Sequence, residues 1–140
     1  MAAHVEVIFC DDIRLEVSNK TSFIGTYLAD MVVESFPALL PKFCIHASVV
    51  CKGVVRIGQI RLRVMLDDAC LIDTGVFSPE AELSNPDEVD VKSLAISSAF
   101  VLSPFQVEGP GKLRVLADVD GEELKSRALT ISQGAVPKTF

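Results

Sequence analysis

Apolar and polar residues alternate strictly along several separate stretches, most clearly in Ile60-Arg61-Leu62-Arg63-Val64-Met65-Leu66. A period of two sends successive side chains to opposite faces of an extended chain, so these stretches read as half-buried strands. Val5, Val7 and Phe9 alternate in the same way, and their parity resumes at Ile13, Leu15 and Val17 after a break at Asp11-Asp12. That pattern predicts two short strands, or one bent strand, with a common inward face. Ser18-Asn19-Lys20 reads as a turn in which Asn19 takes left-handed backbone, and residues 21–28 return as a β-branched and aromatic strand to complete a hairpin. Residues 34–41 contain Pro37 and Pro41, which cannot donate to a ladder. They read as a crossing loop whose Phe36, Leu39 and Leu40 plug one end of the core.

Further strands are expected over residues 43–51, 59–66 and 71–77, and a long one carries Leu94, Ile96, Phe100 and Leu102 on one parity before Pro104. Leu113, Val115, Ala117 and Val119 face inward, and Asp120-Gly121 then separates two strand-like runs, the pattern of a type I′ hairpin. The parity of the last strand slips between Leu124 and Leu129, which predicts a β-bulge near residues 126–128. Seven to nine short strands with turns about every ten residues imply an immunoglobulin-like antiparallel β-sandwich, a single domain over residues 1–132 with a tail at 133–140. The chain has no Trp, so the tryptophan and paired cysteines of antibody domains are missing.

Composition narrows the function classes. At 140 residues the chain can bury one domain's core without staples. Apolar residues make up 49% of it and mean hydropathy is +0.40, but the longest uncharged run, residues 93–107, is interrupted by serines and a proline and is too short to span a bilayer. The N-terminus meets Asp11 and Asp12 almost at once and lacks the basic start of a secretory leader, so a cytoplasmic protein off the membrane is expected. Cys10, Cys44, Cys51 and Cys70 show no metal-ligand spacing and read as free thiols, with Cys51 in the core. The net charge of −6 is concentrated: residues 64–91 hold eight acids and no Lys or Arg, while the rest holds 11 acids and 13 bases. Nucleic acid is not an expected partner, because phosphate contacts need a basic stripe.

Cys10-Asp11-Asp12-Ile13-Arg14-Leu15-Glu16, followed by Lys20, Ser22, Ile24-Gly25 and Tyr27, and later by Phe36-Pro37 and Pro41, resembles an uncharacterised family of small bacterial and phage β-sandwich proteins. The family's turn often has Gly before the Lys, where this chain has Asn19. The resemblance implies a sandwich fold and a domain of unknown function, with no activity attached.

No catalytic set stands out. Cys10, Asp11, Asp12 and His46 could be arranged as nucleophile, acid and base, but they lie in no local catalytic signature, and no enzyme activity or cofactor is expected. Cys44 and His46 share one side of a strand and supply at most two of the four ligands that structural zinc requires. The alternative function is a ligand- or metal-dependent protein in which Asp67, Asp68, Asp73, Asp118 and Asp120 bind calcium at one end of the sandwich. The favoured reading is a non-enzymatic interaction or structural module that binds a protein partner or itself. Its candidate contact residues are Asp11, Asp12, Arg14, Glu16 and Lys20 of the motif, and Glu80, Glu82, Asp87, Glu88 and Asp90 of the acidic stretch.

Overall fold

The computed structural model describes residues 2–53, 56–79 and 93–135. Twelve strands and one three-residue 3-10 turn make up its regular structure, with no α-helix among the described residues. The strands are β1 (Ala2–Glu16), β2 (Lys20–Tyr27), β3 (Asp30–Val33), β4 (Ala38–Leu40), β5 (Phe43–Lys52), β6 (Ile60–Leu66), β7 (Ala69–Asp73), β8 (Ser93–Leu102), β9 (Phe105–Val107), β10 (Gly111–Val119), β11 (Glu122–Lys125) and β12 (Leu129–Gln133). They form a sheet ordered β2-β1-β5-β8, a sheet ordered β3-β12-β10-β6-β7 with β11 also on β10, and a ribbon of β4 and β9. The all-β class follows the alternation. The strand count exceeds seven to nine because β3, β4, β9 and β11 have only three or four residues each, too few to show a period. No helix among the described residues is long and apolar enough to cross a membrane.

The chain divides into two compact units. The first comprises Met1–Val7, Ala47–Ser98 and Arg114–Arg127. Its core is drawn from alternate positions: Ala47, Val49 and Cys51 of β5, Ile60, Leu62 and Val64 of β6, and Val115, Ala117 and Val119 of β10. Each fully buried Ile, Leu or Val contributes about 1.5–3 kcal/mol against the entropy of ordering the chain. Asp120 and Gly121 take φ of 47° and 90°, the doubly positive pair a type I′ turn needs, and Val119 stands opposite Glu122. The expected bulge is present: Leu113 pairs with Leu129 and Leu116 with Lys125, so four steps on one strand oppose three on the other. Ser126 fills the gap, its amide donating to the Val115 carbonyl and its hydroxyl accepting from the Val115 amide, each at 2.9 Å.

The second unit comprises Ile8–His46, Ala99–Leu113 and Ala128–Phe140. Phe43 centres an aromatic cluster, with ring centroids 6.3 Å from Phe9, 5.8 Å from Tyr27 and 5.1 Å from Phe105. β3 runs parallel to β12, Met31 opposite Ile131, and both residues are buried. β1 is one continuous strand that pairs with β2 from Phe9 opposite Tyr27 to Glu16 opposite Lys20. Ser18 and Asn19 both have positive φ in the turn between them.

Two expectations fail here. Ile13, Leu15 and Val17 do not continue the inward face: Ile13 is half-buried, but Leu15 is 87% exposed and Val17 85%. From Arg14 to Thr21 both faces of the hairpin stand in solvent, so parity no longer encodes burial. Leu39 does not plug the core either. It is 64% exposed, because β4 pairs with β9 and alternation turns Leu39 outward.

Candidate functional site

The quoted motif folds into one structure at the base of the β1–β2 hairpin. Phe43 and His46 are three residues apart on β5 and so point to opposite faces. Tyr27 packs on Phe43, whereas Phe23 sets its ring 5.2 Å from His46. β2 keeps one register against β1 between them, with Phe9 opposite Tyr27 and Ile13 opposite Phe23, and Gly25 takes a left-handed φ of +66°. A Cβ there would run into the Asp11 carboxylate. Glycine thus supplies both the left-handed backbone and the space for Asp11, whose Oδ1 accepts the Tyr27 hydroxyl at 2.7 Å. Burial first, then that hydrogen bond to Asp11, push the Tyr27 phenol well above its usual range, so it stays protonated and keeps its proton for Asp11.

Asp12 serves another contact. Its Oδ1 accepts the Lys42 ammonium at 2.7 Å and the Ile13 amide at 2.9 Å, and Arg14 Nε lies 3.6 Å from Oδ2. The Lys42 bond leads in lowering the Asp12 carboxyl, and Asp12 in turn raises Lys42. Lys42, just before β5, has no sign of this role in the sequence beyond being a basic residue directly after Pro41. Glu16 and Lys20 are cross-strand partners at the exposed end. The five motif candidates thus separate: Asp11 and Asp12 brace the hairpin, while Arg14, Glu16 and Lys20 flank Leu15 and Val17 in solvent.

The thiols beside the motif are enclosed. Cys10 and Cys44 are fully buried, and the Cys44 sulfhydryl points to the Asp11 carbonyl at 3.8 Å. Burial, then the neighbouring Cys44, push the Cys10 thiol up to about 11, far from the thiolate a nucleophile requires. His46 lies against Phe23, and burial lowers its pKa. In the first unit, three of the five carboxylates considered for calcium bond to other groups. Asp73 accepts a bidentate pair of hydrogen bonds from Arg61, with Nε at 3.0 Å, and another from the Gly75 backbone N–H at 2.9 Å. Asp118 receives Arg63 at 3.4 Å, and Asp120 receives the Gln59 and Gly58 amides at 2.7 and 3.1 Å. Asp67 and Asp68 form the turn between β6 and β7. Among the described residues no group of three or more His, Cys, Asp or Glu is placed to hold a metal ion. Glu80, Glu82, Asp87, Glu88 and Asp90 lie outside the described residues.

Fold and motif together define an all-β protein of sandwich type with a braced, charged N-terminal hairpin. Residues 6–132 match DUF6941, a family of unknown function, and the chain belongs to that family. Comparison with curated proteins and with solved structures finds no match.

Proposed function

We propose that the protein is a non-enzymatic interaction module that holds another protein at the end of its β1–β2 hairpin. The observation that carries this reading is the exposure of Leu15 and Val17, 87% and 85%, on a hairpin whose base is fixed by the Asp11–Tyr27 and Asp12–Lys42 contacts. Two large apolar residues, one at the end of β1 and one in the turn after it, add nothing to the core from there, and a fixed apolar patch with a charged rim is the usual form of a protein contact. Arg14, Glu16 and Lys20 supply that rim. In this reading the run from Cys10 to Tyr27 is the mark of the bacterial and phage family resembled above, the protein works in the cytoplasm, and the fold is immunoglobulin-like, a view supported by strand neighbours distant in sequence such as β1 and β5. The acidic stretch offers a further docking surface for a basic partner.

The test replaces both residues by serine, Leu15→Ser with Val17→Ser, and compares the proteins retained by tagged full-length wild type and variant in the native cells. Exposed substitutions shift stability by about 0.5 kcal/mol or less, so the melting temperature should move by no more than about 2 °C while a specific bound protein disappears. A fall of more than about 5 °C would assign the pair to the fold, and an unchanged bound set would remove the hairpin end as the contact.

A further inference from the structure

An open sheet edge is a row of unpaired N–H and C=O groups, and chains usually blunt it with charge, glycine, proline or brevity. β2, at one edge of its sheet, carries Lys20 and the left-handed Gly25. In the other sheet the edge strands β3 and β7 have four and five residues and contain Asp30 and Asp73. β8, at the edge opposite β2, has none of these devices. It is ten residues long, without charge, glycine or proline, and among the described residues no strand lies beyond it. Its alternation is regular: Ala95, Ser97, Ala99 and Val101 are exposed, while Leu94, Ile96, Ser98, Phe100 and Leu102 are half-buried or buried.

The strand is also a chemical palindrome about Ser98. Leu94 mirrors Leu102, Ala95 mirrors Val101, Ile96 mirrors Phe100, and Ser97 mirrors Ala99. We propose that β8 binds a second copy of this chain, antiparallel to its own β8 about a two-fold axis at Ser98, so that two four-stranded sheets become one of eight strands. The period of two requires facing residue numbers to add to an even total, or inward positions would meet outward ones. Pairing about Ser98 satisfies this and sets each inward apolar residue against another. Charge on the strand itself does not oppose this occupant. A chain of net charge −6 repels its copy, yet β8 lets two copies meet with no like charges directly opposite. The contact is isologous and closes on itself. An edge-strand pair is small for an interface, which points to a dissociation constant on the order of 10 μM. This surface stands or falls separately from the hairpin end.

The test is sedimentation velocity on the full chain from about 1 to 200 μM, a range that brackets that constant. Wild type should shift from monomer toward dimer. Ala95→Lys with Val101→Lys places lysines opposite each other twice and should weaken the dimer about tenfold or more, with the melting temperature kept. Ala95→Glu with Val101→Lys places opposite charges face to face and should restore the dimer. Hydrogen exchange on wild type gives a check that needs no variant: the β8 amides should lose protection on dilution. A wild type that stays monomeric to the top of the range, a dimer indifferent to the lysine pair, equal behaviour of the two charge variants, or β8 protection independent of concentration would each overturn the proposal.

Discussion

Gly25→Ala probes whether the N-terminal motif is a built structure. The backbone there holds φ +66°, which costs an L-residue about 1–2 kcal/mol. The new methyl would also occupy the place of the Asp11 carboxylate, the more movable of the two groups. Displacing it breaks the 2.7 Å bond from Tyr27, an exposed hydrogen bond contributing about 1 kcal/mol. The expected loss is about 2–3 kcal/mol, a fall in melting temperature of roughly 6–12 °C for a chain this size. Gly53→Ala is the control: φ is +73° with nothing within 4 Å of the added carbon, so only the backbone cost of about 1–2 kcal/mol applies. In an Asp11→Ala background the carboxylate and the Tyr27 bond are already gone, leaving only a 3.2 Å approach to the residue 11 Cβ, and Gly25→Ala should cost about 1 kcal/mol less than in wild type. Urea midpoints for the four members of that cycle measure the difference. Additivity within about 0.3 kcal/mol would show that Gly25 and Asp11 do not act together.

Other outcomes follow from the turns, carboxylates and thiols. Gly121→Val should destabilise more than Gly109→Ala, since Gly121 sits at φ +90° and Gly109 meets no neighbour and has no such constraint; equal melting temperatures would contradict the type I′ turn. Asp73 is held well below the usual carboxylate range, first by Arg61 and then by the Gly75 amide. A depressed carboxyl contributes stability above its unfolded value of about 3.9 that is lost as pH falls through the folded one, so wild type should lose urea midpoint below about pH 4 and Asp73→Asn should lose less. Parallel pH profiles would remove Arg61–Asp73 as a contributor. Cys70 is exposed while Cys10, Cys44 and Cys51 are buried, and burial raises all three of those thiols. A chromogenic disulfide should therefore titrate one thiol at once in the native protein and four after unfolding; three fast thiols would refute the packing around β1 and β5.

What could be read from the chain follows where burial and alternation coincide. β6 and β10 bury alternate residues, as does β5 from Ile45 onward, so those inward sets are evident from parity alone, as is the Asp120-Gly121 turn from its residue types. The bulge at Ser126 was visible as a slip between Leu124 and Leu129, because one extra residue reverses the face of everything beyond it. Parity failed on the hairpin for another reason: past Ile13 neither face is covered, so alternation there no longer marks burial. Leu15 and Val17 look like core residues to any rule that reads only one strand. Lys42, thirty positions from Asp12, had no local sign of its role, since that contact exists only once β5 lies beside β1.

The two proposed surfaces have a joint consequence in the sheet order. If β8 pairs with its copy, the order becomes β2-β1-β5-β8 followed by its mirror, and the two hairpins occupy the far edges of one eight-stranded sheet. Seven inter-strand steps of about 4.8 Å set those edge strands roughly 33 Å apart across the sheet. A partner displayed as a dense array would then be gripped at two points, and avidity can exceed single-site affinity by about 10²–10⁴ without any new contact. The Ala95→Lys, Val101→Lys variant separates these contributions, because it leaves Leu15 and Val17 untouched. On a surface sparsely coated with the hairpin's partner it should bind like wild type, and on a dense one it should dissociate faster. Equal dissociation on both surfaces would mean that the hairpins act singly.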